Sequence, residues 1–234
     1  MRLDEYITHK KYFSSRTKAN RFIREHGVLI NGKMVNKPSY NVKTSDIIEI
    51  NHNGAQKYDK PLGYHKLELI VNNPEFPPLK SSDKCLDIGA SAGGFSLFLL
   101  EQEVHSVFAI EISQDFEFNL KQLSDKWPNF TYLIQNFFEL RKKEYLNYFS
   151  LITVDLTLDP EYLVQNLHYF PQFLNSNIKP ARILLAIKTG KINNIEQIKK
   201  SIEQEVETVF PEFSYKWLNS VDNKKEIFLL IKNL

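Results

Sequence analysis

The chain has 234 residues, 42% of them hydrophobic, and a formal net charge of +2, which gives one large or two modest domains with a real core and excludes a disordered chain. The charge is uneven: residues 1–60 carry twelve Lys and Arg against six Asp and Glu, and the remainder eighteen against twenty-two, so a basic N-terminal module suited to nucleic acid is expected on a mildly acidic body. One cysteine, Cys85, supports neither a disulfide framework nor a zinc site, and no apolar run approaches the roughly 18 residues of a membrane helix. With no signal-peptide pattern at the start, the expectation is a cytoplasmic protein with no membrane and no metal partner.

In chain order, "SSRTKANRFIREHG" predicts a helix. Ser14 or Ser15 can cap it, since a hydroxyl there accepts an amide of the first turn. Ala19, Phe22 and Ile23 share one face, and Gly27 stops it. Arg16, Asn20 and Arg24 run along one edge of the polar side, with Lys18 and Arg21 beyond. "VLINGKMV" reads as a hairpin around Asn31-Gly32, and "DIIEI" as a further strand. A basic helix face beside a small hairpin suits phosphate contacts that do not read bases.

Residues 1–50 resemble the S-four RNA-binding domain. The resemblance rests on Arg2-Leu3-Asp4, Ser15-Arg16-Thr17-Lys18-Ala19, Ile23, Gly27-Val28, Asn31-Gly32-Lys33 and Val35. It implies binding of structured RNA, with Arg2, Arg16, Lys18, Arg21, Arg24 and Lys33 as contacts. Residues 51–63, polar with two Gly and a Pro, read as a linker, which leaves 64–234 as the second domain.

From about residue 84 short apolar runs at 85–88, 106–111, 130–134, 151–155 and 182–187 alternate with helical patterns at 93–103, 114–126, 159–175 and 193–208. This predicts an α/β fold with a mainly parallel sheet. "FSYKWL" and "EIFLLI" lie too close in sequence for a crossover and are expected to be antiparallel.

The first run opens into "CLDIGASAGGF", which holds three of the chain's eight glycines. In such sheets ligands bind at the carboxyl ends of strands, where glycine allows close backbone approach and a helix start offers amides. Glu111, 24 positions after Asp87, suits ribose hydroxyls. The spacing Asp-x-Gly-x-x-x-Gly-Gly-Phe is not the dinucleotide fingerprint. The acid before the first glycine disfavours a pyrophosphate and favours a ligand with a cationic centre, as in S-adenosylmethionine.

The whole chain resembles the TlyA family of ribosomal RNA 2′-O-methyltransferases: "LDIGASAGGF" is close to its cofactor motif, and the order S-four domain then FtsJ-like, Rossmann-like methyltransferase domain is the family's own. The resemblance implies S-adenosylmethionine contacts at Asp87, Gly89, Ser91, Gly93, Gly94, Phe95, Glu111, Asn136 and Asp155. It also implies a Lys-Asp-Lys-Glu catalytic set at Lys66, Asp155, Lys188 and Glu226. The substrate implied is a ribose 2′-hydroxyl of ribosomal RNA, in free RNA or ribosomal subunits, with a cytidine expected. Lys188 would be the base or orienting cation. A lysine can act as a base if burial or a second cation lowers its pKa. Asp155 would hold Lys188, while Lys66 and Glu226 position the ribose. His65, beside Lys66, reads as a surface residue.

The chain departs from the family around the substrate, with Pro61-Leu62-Gly63-Tyr64-His65 before the first lysine, Leu156-Thr157-Leu158 after Asp155 and Thr189-Gly190-Lys191 after Lys188. Two other functions compete. A non-catalytic RNA-binding or ribosome-assembly factor could keep the fold without the chemistry. A membrane-active haemolysin is disfavoured because no helix is strongly apolar on one side and basic on the other.

Overall fold

In the computed structural model, which describes residues 1–10, 12–50, 60–140, 143–190, 194–218 and 226–233, the chain divides into two units, Met1–Lys60 and Pro61–Leu234. The first unit holds helices α1 (Leu3–His9) and α2 (Arg16–His26) and strands β1 (Val28–Ile30), β2 (Lys33–Val35) and β3 (Ile48–Glu49), in the antiparallel order β2-β1-β3. Ser15 caps α2, its side chain accepting from the Lys18 amide at 3.3 Å. Asn31 and Gly32 both take positive φ, as the tight hairpin requires. Ala19, Phe22 and Ile23 turn inward against Leu3, Ile7, Val28 and Ile30. Helix α1 was not foreseen from the sequence.

The second unit begins with α3 (Leu62–Val71) and continues through β4 (Lys84–Ile88), α4 (Gly94–Glu101), β5 (Ser106–Glu111), α5 (Glu117–Lys126), β6 (Phe130–Ile134), β7 (Leu151–Val154), α6 (Pro160–Gln165), β8 (Arg182–Lys188), α7 (Ile195–Val209), β9 (Ser214–Leu218) and β10 (Glu226–Lys232). The sheet order is β6-β5-β4-β7-β8-β10-β9. β4 to β8 are parallel, and β10 runs antiparallel between β8 and β9. Successive strand residues face opposite sides. Ile183, Leu185 and Ile187 therefore enter one core and Leu184 and Ala186 the other. Strands covered on both faces need unbroken apolar runs such as "RILLAI".

Two expectations change. Residues 61–63, read as linker, hold the N-cap and first turn of α3; residues 51–59 lie outside the described residues. The helix expected over 159–175 is only α6 followed by two 3-10 turns, Leu167–Tyr169 and Pro171–Phe173, and Pro171, with no amide, cannot resume an α-helical ladder beyond the first of them. At the amino-terminal end of the strands Arg182 is fully buried. It donates to Asp83 at 2.6 and 3.3 Å, and Ser150 donates to the same carboxylate at 2.8 Å. Burial alone would raise the Asp83 pKa, but the Arg182 hydrogen bonds and charge outweigh it and hold the carboxyl low. The sequence reading gave this pair no role.

Among the described residues no helix is long and apolar enough to cross a membrane.

Candidate active site

The parallel strands end along one rim of the sheet, and four charged side chains meet there. Asp155 directly follows β7, Lys188 is the last residue of β8, and Glu226, the first of β10, is its cross-strand partner. Lys66 arrives from the second turn of α3. The Lys66 ammonium lies 2.7 Å from Asp155 Oδ2 and 2.8 Å from Glu226 Oε2. The Lys188 ammonium lies 2.5 Å from Asp155 Oδ1 and 2.9 Å from Glu226 Oε1. Each lysine bridges both carboxylates, so the ring is closed and neutral. The four residues chosen from the sequence come together.

Their electrostatics bear on the two roles expected for Lys188, base or orienting cation. Burial alone would push the Lys188 ammonium toward losing its proton. The Asp155 charge and the hydrogen bonds to Asp155 and Glu226 more than offset this, and its pKa is raised. In this state Lys188 is a held cation, not a lysine poised as a base.

The glycine loop is only partly as expected. Gly89, Ser91, Gly94 and Phe95 border a cavity of about 800 Å³ that also reaches Lys66, Asp155 and Glu226. Gly93, with φ of 75°, does not border it; a Cβ there would run into Leu123 of α5. It is the N-cap of α4 in a left-handed conformation, so a larger residue at 93 would strain the turn and press on α5. A Cβ on Gly94 would lie 2.7 Å from the Tyr64 amide and 2.8 Å from Gly63 Cα, so this glycine lets α4 approach α3, which carries Lys66. Gly94→Ala is therefore expected to shift α3 and cost about 1–3 kcal/mol. Urea denaturation checks the cost; an unchanged midpoint would contradict the close approach.

Asp87 is also placed differently. It is fully buried and outside the cavity lining. Ser96 donates to it at 2.6 Å and Thr153 at 3.0 Å. It thus ties α4 and β7 together beneath the loop. Burial pushes its pKa up to about 6. A carboxyl raised above its unfolded value stabilises the fold below that unfolded value, and the contribution is lost as pH rises through the folded one. Wild type should therefore lose on the order of 2–3 kcal/mol relative to Asp87→Asn between pH 4 and 6.5. Urea denaturation of both proteins across that range checks this, and parallel curves would contradict it.

Glu111, at the end of β5, is buried; its Oε2 accepts from the Ser91 amide at 2.7 Å and its Oε1 from the Ser113 amide at 2.8 Å. It pins the glycine loop, and each oxygen keeps a second lone pair. Asn136, just beyond β6, accepts from the Phe138 amide at 3.1 Å. Neither borders the cavity, but the strand order sets Asn136, Glu111, the loop, Asp155, Lys188 and Glu226 in sequence along the rim.

The sequence reading missed the wall that α3 contributes. Leu62, His65, Lys66 and Leu69 of α3 line the cavity, at the i, i+3, i+4, i+7 spacing of one helix face. His65, read as a surface residue, is on this wall, its side chain 24% exposed.

In the first unit, Arg2 donates to Asp4 at two distances of 3.0 Å and Arg16 at 3.4 Å. Lys18 donates to Ser14 and Arg24 to Asn20. Arg21 is half-buried on the same helix, and Lys33 is exposed on β2.

The family model of FtsJ-like methyltransferases matches residues 63–217. The chain belongs to the FtsJ-like methyltransferase family. An S4 domain precedes the FtsJ-like part, matched over residues 1–48. Hemolysin A of Brachyspira hyodysenteriae is 37% identical over 115 residues, 49% of this chain and 46% of that protein. Small ribosomal subunit protein uS4 of Xylella fastidiosa (strain M12) is 44% identical over 57 residues, 24% of this chain and 27% of that one. The match spans about half of the first relative and about a quarter of the second. Among solved structures, Aeropyrum pernix fibrillarin in complex with natively bound S-adenosyl-L-methionine has a TM-score of 0.55 at 13% identity, covering 73% of this FtsJ-like chain and 75% of that one. That likeness is one of fold.

Proposed function

We propose that the protein transfers a methyl group from S-adenosylmethionine to a ribose 2′-hydroxyl of ribosomal RNA. The observation that carries this reading is the closed Lys66–Asp155–Lys188–Glu226 ring, three of whose members line one cavity together with the glycine loop. The cavity's size falls within the range of small-molecule sites. The backbone of residues 89–94, the second lone pairs of Glu111, Asn136 and the Asp155 carboxylate would hold the methyl donor. When bound, that donor supplies a methyl on a sulfonium, already activated for displacement.

The protein's own work is then mostly alignment. Lys188, held charged by two carboxylates, orients the ribose oxygen, and Asp155 fixes Lys188. Lys66 and Glu226 brace that pair from α3 and β10. Holding the hydroxyl in line accounts for more of the barrier than removing its proton, which would pass to the Asp155 carboxylate or to water as the oxygen takes the methyl. The S4 domain, and its likeness to a ribosomal protein, support ribosomal RNA as the partner.

Calorimetry tests the cofactor half. S-adenosylmethionine is expected to bind the full chain and NAD is not; the reverse would overturn the reading. A non-catalytic assembly factor has no need of the four-membered charge ring, since leaving charged groups half-buried has a desolvation cost.

A further inference from the structure

A ribose that reaches the charged ring cannot keep its base stacked in a helix. The ring side chains are only 11–24% exposed, so the nucleotide has to enter the cavity with its base unstacked. The base is joined to C1′, the neighbour of C2′, and so lies in the cavity close to the ring. In-line displacement fixes the side. The sulfur and the attacking oxygen stand on opposite sides of the moving methyl. With the donor at the glycine loop, the ribose and its base lie away from that loop.

Helix α3 begins against the loop, where Gly63 meets Gly94, and Leu69 to Asn73 come one to two turns past Lys66. At that end Leu69 and Ile70 of α3 face the cavity together with Leu218 of β9 and its cross-strand partner Phe228 of β10. These walls are apolar and carry no charge. They suit the faces of a base and not a phosphate, whose charge would go unmatched. Leu69 is 46% exposed, so its side chain is open to a ligand. Asn72 and Asn73 complete the lining. Asn73 Oδ1 accepts from the Glu75 amide at 2.9 Å. The Asn72 carboxamide is exposed and has no hydrogen-bond partner among the described residues. A carboxamide carries two donors and an acceptor, which complement the edge of an unpaired base.

We propose that this end of the cavity seats the base of the target nucleotide, with Leu69 packed on its face and Asn72 hydrogen-bonded to its edge. This rests on the methyl-transfer reading for the identity of the substrate. Seating the base fixes the ribose on the ring, so the two residues act on the choice and placement of the nucleotide, not on the methyl donor.

The test uses the full-length protein and a ribosomal RNA fragment whose methylated nucleotide has been mapped by mass spectrometry. A second fragment carries an abasic ribonucleotide there, which keeps the 2′-hydroxyl. Loss of the packed face and the bonded edge predicts that wild-type kcat/KM falls about 10- to 100-fold on the abasic fragment. On the native fragment Leu69→Ala and Asn72→Ala are each expected to cost roughly 10-fold. On the abasic fragment the cost of either should shrink to within about twofold, because the contact it removes is already gone. S-adenosylmethionine affinity should be unchanged in both variants. Equal rates on the two fragments would overturn the proposal. So would variants that cost as much on abasic as on native RNA, or that weaken S-adenosylmethionine binding. If the wild type transfers no methyl, the methyl-transfer reading falls. The subsite is then decided by titrating the full-length protein, its leucine methyls isotopically labelled, with the four ribonucleosides. Shifted Leu69 methyl signals support the base seat; no shift with any of the four, or the same shift with ribose alone, overturns it.

Discussion

Lys188→Ala is expected to lower methyl transfer about 100-fold or more at saturating RNA, the scale of a positioned polar group acting at the reacting atom. S-adenosylmethionine affinity should change less than about threefold. The substitution removes one corner of the ring. Asp155 and Glu226 would then share the single Lys66 ammonium, and both the orienting cation and the geometry of its partners would be lost. Asp155→Ala should be about as damaging, and the double variant little worse than either single one, because residues acting as a unit are not additive. Single-turnover transfer by the three variants checks this. Near-normal transfer by Lys188→Ala would make the lysine structural.

Asp83→Ala is expected to destabilise the second unit by about 3–5 kcal/mol, because it leaves Arg182 buried without its counter-charge. The pair closes the amino-terminal end of the sheet, where Arg182 has no exposure and stacks 5.7 Å from the Phe76 ring. Replacing both partners, as in Asp83→Leu with Arg182→Met, should recover most of the loss, since an apolar pair carries no unpaired charge. Urea denaturation of the three proteins measures this, and a single variant as stable as wild type would contradict it. The Asp83 carboxyl is held low, so its contribution is present above the usual carboxylate range and is lost as pH falls through the depressed value.

The contrast between these two regions explains what could be read in advance. Asp155 and Lys188 each end an apolar strand run and Glu226 opens one, and a charge in that place needs a reason the sequence makes visible. The sheet itself was legible because strands buried on both faces are apolar without a break. Arg182 also begins an apolar run, but its partner lies 99 positions away, and pairing at that range leaves no local pattern. The glycine loop was found but not oriented. Spacing places Gly93, Gly94 and Asp87 at the turn, and only packing shows that Gly93 faces α5, Gly94 faces α3 and Asp87 points into the core. Helix α3 was missed because "LGYHKLELIV" follows a polar stretch and carries exposed leucines, Leu62 and Leu69, on the face that lines the cavity. Those residues look misplaced on a surface helix until the cavity is seen.

The most direct test of the account is the position of the methyl group. Unmodified ribosomal RNA is incubated with the full-length protein and S-adenosylmethionine labelled on its methyl, digested to nucleosides and analysed by mass spectrometry. The account predicts one labelled methyl on a ribose 2′-oxygen, absent when Lys188→Ala replaces the wild type. A methyl found on a base, or no transfer by a protein that binds both the cofactor and the RNA, would contradict it.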